Sequence, residues 1–155
     1  MTVVQIRRLV RKKMRRIAQA VMTTAGALLL ALSVTTSASA SSTITAYAAP
    51  DTSETPNAAH GGKATFQPDG EHLYVTDLAK DGHSAIGLIS IGCDTSACDY
   101  YYWNRNGVDT TRDVNLDLPE GTHIGLKACI GDWSGTPTGG IRFGSCSSLW
   151  EETTA

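Results

Sequence analysis

The alternation of side chains over residues 71–91, interrupted once by polar turn chemistry, confines this chain to β structure more tightly than any other stretch. In the first arm Leu73 and Val75 alternate with His72, Tyr74 and Thr76; in the second Ala85, Gly87, Ile89 and Ile91 alternate with Ser84, Ile86, Leu88 and Ser90. A repeat of two is the period of a strand. Residues 77–82 between the arms read Asp-Leu-Ala-Lys-Asp-Gly, so the two arms are expected to form a hairpin, with positive φ at Asp81-Gly82. The second arm is apolar on both faces, which places it mid-sheet with layers above and below.

The rest of the chain repeats the pattern. Residues 64–67 make a short first strand closed by Pro68-Asp69-Gly70. Residues 100–103 are four aromatics in a row, followed by an Asn-Gly turn at Asn106-Gly107. Over 111–118 Val114, Leu116 and Leu118 oppose Asp113, Asn115 and Asp117, and over 122–130 Ile124, Leu126, Ala128 and Ile130 oppose His123, Gly125, Lys127 and Cys129. A glycine-rich loop over 131–140 leads to a last strand at 141–146. About seven strand-like runs with no helical periodicity after residue 40 imply an all-β fold, a small antiparallel β-sandwich or small barrel.

Domain organisation follows from composition. Seven basic residues (Arg7, Arg8, Arg11, Lys12, Lys13, Arg15 and Arg16) precede an apolar run over 17–34 that ends in Ser37-Ala38-Ser39-Ala40. Residues 1–40 are thus expected to be a secretory signal peptide, cleaved after Ala40 or at a second small-residue site after Ala48. The general secretory route fits better than the twin-arginine one. Thr23, Thr24 and Gly26 interrupt an apolar run near the lower length for spanning a bilayer, against a retained anchor. Residues 41–63, rich in Ser, Thr, Ala and Pro, are expected to be a disordered leader, with the β-sandwich domain over 64–155. After residue 40 the chain keeps six of its 13 basic residues and all 15 acidic ones, a formal charge of −9. Nucleic acid and anionic membrane surfaces, which need clustered Lys and Arg, are therefore not expected as partners.

Four cysteines in an exported chain imply two disulfides. Cys93 with Cys98 closes a short loop. Cys129 with Cys146 is supported by face parity, because Cys129 shares a face with Gly125 and Lys127 while Cys146 shares one with Arg142 and Gly144, both opposite the apolar set. The spacing matches no zinc ribbon or finger.

Asp77-x-x-x-Asp81-Gly82-His83-Ser84-Ala85, then Leu118-Pro119-Glu120-Gly121-Thr122, a cysteine at 129 and a Cys-Ser at 146–147 resemble a group of small secreted proteins of actinomycete-type bacteria. The resemblance spans residues 64–150. It implies export, small size and a β-sandwich, and it assigns no catalytic or binding residue.

Motifs that carry chemistry are few. Gly82-His83-Ser84-Ala85 echoes a hydrolase nucleophile turn but lacks the closing glycine, and it sits before a strand rather than between strand and helix. Gly131-Asp132-Trp133-Ser134-Gly135 echoes a serine-protease loop in a chain too short for that fold. Asp77 and Asp81, with Asp117 and Glu120, could gather at one end of the sandwich, where oxygen ligands hold calcium or paired carboxylates cleave glycosides, yet neither spacing is diagnostic. Turn aspartates ordinarily bond the backbone. His60, His72, His83 and His123 follow no ligand spacing, so no cofactor or metal is assigned.

Tyr100-Tyr101-Tyr102-Trp103 exceeds what packing requires. Parity puts Tyr101 and Trp103 on one side, and this pair is expected to stand exposed as the binding residues. The expectation for the whole is a secreted, extracellular, non-catalytic protein that binds a glycan, an envelope polymer or a protein partner. The alternatives are a small protease inhibitor presenting the disulfide-braced loop 93–98 and, behind it, a small hydrolase.

Overall fold

In the computed structural model, residues 41–93 and 96–155 are described, and the signal peptide expected over 1–40 lies outside them. Eight strands form two antiparallel four-stranded sheets: β1 (Ile44–Ala48), β2 (Gly62–Gln67), β3 (His72–Asp77), β4 (Ser84–Ile91), β5 (Asp99–Asn104), β6 (Thr111–Asn115), β7 (His123–Gly131) and β8 (Glu151–Thr154). The first sheet has the order β1-β2-β3-β6 and the second β5-β4-β7-β8. Their inner faces supply one core: Ile44, Ala46, Ala64, Phe66, Leu73 and Val75 from the first, against Ala85, Ile89, Ile124, Leu126, Ala128 and Ile130 from the second. This is the all-β sandwich with two disulfides that the alternation implies.

β4 lies between β5 and β7, and all eight of its residues pair with β7 while six of them also pair with β5, as its two-sided apolarity requires. Gly87 points inward on this strand. A Cβ there would come within 2.8 Å of Val75 Cγ2, so glycine sets how closely the sheets approach.

Three expectations are corrected. The arms over 71–91 are not a hairpin: β3 belongs to the first sheet and β4 to the second, and the six residues between them cross from one layer to the other. Gly82 does take positive φ, at 77°. The leader expected to be disordered over 41–63 contains β1, whose Ile44, Ala46 and Ala48 face the core while Thr45 and Tyr47 face out. Its small and hydroxyl residues hide a true period of two, and cleavage after Ala48 would remove the strand. The last strand expected at 141–146 is a single bridge, Gly131 to Ile141, followed by a 3-10 turn over Phe143–Ser145. The edge strand is β8, four polar residues paired with the start of β7.

Both disulfides join the expected partners, Cys93 with Cys98 and Cys129 with Cys146. Cys129 lies on the outer face of β7, so the second bridge fastens residues 141–147 along that strand without entering the core. The same segment is held by Arg142 N donating to Ile130 O at 3.0 Å and Ser147 N to Ala128 O at 2.9 Å.

Candidate functional site

The register of the second sheet arranges its outer face in three rows: Trp103, Ile86 and Cys129; Tyr101, Leu88 and Lys127; Asp99, Ser90 and Gly125. Parity therefore places Tyr101 and Trp103 together on the outer face, as expected from sequence. Their exposure is corrected. Trp103 is only 3% exposed, because the loop after β7 folds over it. Its indole Nε1 donates to Pro137 O at 2.8 Å, and Trp133 meets it edge to face with ring centroids 5.3 Å apart. Gly131 permits the crossing: a Cβ there would lie 2.5 Å from Gly140 O and 3.0 Å from Trp103 Cη2. Tyr101 stays half-buried, and burial followed by the charge of Asp99 raises its phenol above the usual range. Tyr102 points inward against the core, whereas Tyr100 stands exposed.

What stands out in solvent on this face is a set of side chains that strand periodicity did not single out. Trp133 is partly exposed with the Arg105 guanidinium 4.7 Å from its ring, and Trp150 is partly exposed with the Lys127 ammonium 5.1 Å from its ring. Trp150 lies across Gly125, where a Cβ would sit 3.1 Å from its Cε3. The indoles thus mark the first and third rows, about 14 Å apart along the strands at roughly 3.4 Å per residue. Phe143 and Leu149 are more exposed still. All four belong to loops or irregular backbone, which carries no period, so only the presence of aromatics in a glycine-rich stretch could have flagged Trp133.

A second cluster forms at the end of the sandwich where β4 begins. His83, half-buried and given no role from sequence, has Nδ1 2.8 Å from Asp132 Oδ1 and Nε2 3.1 Å from Asp51 Oδ2. Arg142 places Nη2 2.9 Å from Asp51 Oδ2 and Nη1 against His83 Nε2. Burial alone would lower the imidazole's affinity for a proton, but the hydrogen bonds to Asp132 and Asp51, with the charge of Asp132, outweigh it and Arg142, so its pKa is raised. Hydrogen bonds from the Ser53 hydroxyl and amide, then from His83, hold the Asp51 carboxyl well below the usual range. With both ring nitrogens engaged by carboxylates, His83 has none free to take a proton from a substrate. The residues come from four places in the sequence, which is why spacing could not find them.

The crossing itself buries two carboxylates. Asp77, at 2% exposure, ends the inward row of β3, and Asp81, at 4%, lies four residues on. Burial pushes the Asp77 carboxyl up to about 6, with the charges of Asp81 and Asp109 adding to it against one amide bond from Ala79. Asp81 Oδ1 accepts from the His83 amide at 3.0 Å, the expected turn contact, whereas its Oδ2 is buried with no hydrogen-bond partner. A cavity of about 310 Å³ lined by Asp77, Lys80, His83, Ser84 and Arg105, among others, opens beside the crossing. Asp117 and Glu120, also considered for this cluster, are exposed and lie on the loop between β6 and β7. Among the described residues no three His, Cys, Asp or Glu side chains form a ready metal site. Ser84 opens a strand, so the hydrolase turn is absent in form as well as in sequence.

Asn104 completes this end. Fully buried, its Nδ2 donates to Val75 O at 3.1 Å in the opposite sheet and to Thr110 O at 2.8 Å. Comparison with known proteins adds nothing to this picture, because no family model, no curated protein and no solved structure significantly matches the chain.

Proposed function

We propose that this is an exported, non-catalytic binding protein whose working surface is the outer face of the β5-β4-β7-β8 sheet, and whose ligand is an extended polysaccharide of the cell envelope or its surroundings. The observation that carries the reading is the pair of partly exposed indoles, Trp133 and Trp150, each with a cation over its ring, set on opposite rows of one sheet face with Tyr101 and Lys127 between them. Amphipathic rings offer flat apolar area for a sugar face, while neighbouring Lys, Arg and Tyr groups meet hydroxyls and acids. A row spacing of about 14 Å suits a chain of several sugar units rather than a single one. Two disulfides, a formal charge of −9 after residue 40 and the basic-apolar beginning of the sequence support export. The commitment of both His83 nitrogens supports a role other than acid-base catalysis at that cluster.

A glycan array and a pull-down on insoluble cell-wall polymer, run with the wild-type chain and with Trp133→Ala/Trp150→Ala, test the reading. Binding that falls at least tenfold in the double variant is the expected result. Absence of binding to every envelope polymer, or equal binding by the variant, removes this function.

A further inference from the structure

We propose that the turn between β3 and β4 is a calcium site, with Asp77 and Asp81 as its charged ligands. Two carboxylates more than nine-tenths buried sit on one short crossing. Among the described residues neither has a Lys, Arg or His partner within 4 Å, although the other ion pairs of this end, around His83 and Arg142, are all made. A buried carboxylate without a countercharge is costly and calls for a proton, a cation or a metal ion. Asp81 singles out the metal ion. Its Oδ1 is used by the turn, and its Oδ2 is buried with no hydrogen-bond partner among the described residues.

The donors are hard oxygens, which suits calcium rather than zinc or copper. Since among the described residues no third acidic or imidazole side chain joins them, the rest of the coordination falls to peptide carbonyls and water, as calcium's large and irregular shell allows. The cavity beside Asp77 gives water and ion a way in. The site joins the two sheets at the point where the chain changes layer, so a bound ion would fasten β3 to β4. Two charged ligands correspond to the weak end of the range, a Kd of about 10⁻⁴ to 10⁻³ M, matched to extracellular calcium.

The test titrates the purified, disulfide-bonded chain with calcium chloride, and with magnesium chloride as comparison, by calorimetry and by thermal melting against EDTA. Calcium should bind at one site per chain and raise the Tm by several degrees, with magnesium weaker. No heat and no change in Tm up to about 10 mM, tenfold above the weakest extracellular sites, overturns the proposal. Asp81→Asn keeps the acceptor for the His83 amide and should abolish the calcium-dependent rise; a rise that persists in the variant places the ion elsewhere and overturns the assignment. Should that variant fail to fold, amide shifts of the wild-type chain decide: calcium must move the signals of residues 77–84 most, and changes centred anywhere else refute the site.

Discussion

Trp103 and Trp133 stand edge to face, yet their removal should have different consequences. Trp103 lies under the 132–140 loop with its indole N–H satisfied by Pro137, so truncation leaves a cavity and an unpartnered carbonyl. Trp103→Ala should cost roughly 3–5 kcal/mol. Trp133 covers it from the solvent side and is 39% exposed, so Trp133→Ala should cost no more than about 1 kcal/mol while weakening ligand capture. Urea denaturation of both variants checks this, and equal losses would mean that Trp133 is a packing residue and not a surface one. Parity in the sequence put Tyr101 and Trp103 on the correct face. It could not show that residues some thirty positions later fold back over one of them, because burial on the outside of a sheet depends on what crosses it. For the same reason His83 looked like one of four scattered histidines until Asp51, Asp132 and Arg142 were brought around it.

At the scale of elements, period-two runs locate β3, β4, β6 and β7, the Pro68-Asp69-Gly70 turn marks off β2, the aromatic run marks β5, and the cysteine parity locates the bridge on the outer face of β7. Two edge strands escaped. β8 is Glu-Glu-Thr-Thr, without an apolar face, and exists because the Cys129–Cys146 bridge and the bonds at Arg142 and Ser147 deliver the chain alongside β7. β1 was hidden by its composition, since Ala and Thr signal a leader as readily as a strand over a thin, alanine-lined core. In the sequence the connection of β3 to β4 reads as a hairpin, because a polar turn between alternating runs fits a hairpin as well as a crossing between sheets. The available clue was length: six intervening residues exceed the usual two to five of a hairpin loop. β1 yields a prediction. Its removal strips Ile44, Ala46 and Ala48 from the core and exposes the edge of β2, so a chain beginning at residue 50 should lose cooperative thermal unfolding. A truncated chain that melts within a few degrees of the intact one would show that β1 is an accessory edge.

On the scale of the whole molecule, the cluster around His83 ties the segment after β1, the start of β4 and the stretch between β7 and β8 to one imidazole, and its strength should follow pH with a definite sign. The His83 pKa is raised above 6.5 in the folded state, so the stability it contributes is complete below about pH 6.5 and is lost as pH rises through its folded value. Asp51 is shifted down from 3.8, so its contribution is present above about pH 4 and lost only under stronger acid. Between those limits the imidazolium donates from Nδ1 to Asp132 and from Nε2 to Asp51. Once the proton leaves Nε2, that nitrogen turns acceptor and Arg142, already against it, can donate there while still holding Asp51, so the cluster weakens without coming apart. Asp81, which binds the His83 amide, and Asp77 in the same turn stay in place when only the imidazole is changed, so the comparison must be made as a difference. Melting temperatures of the wild-type chain and of His83→Gln, measured from pH 4.5 to 9, should be furthest apart near pH 5 to 6 and converge above neutrality. A gap that stays constant across the range would mean that His83 holds this end by shape and hydrogen bonding alone, with its charge contributing nothing.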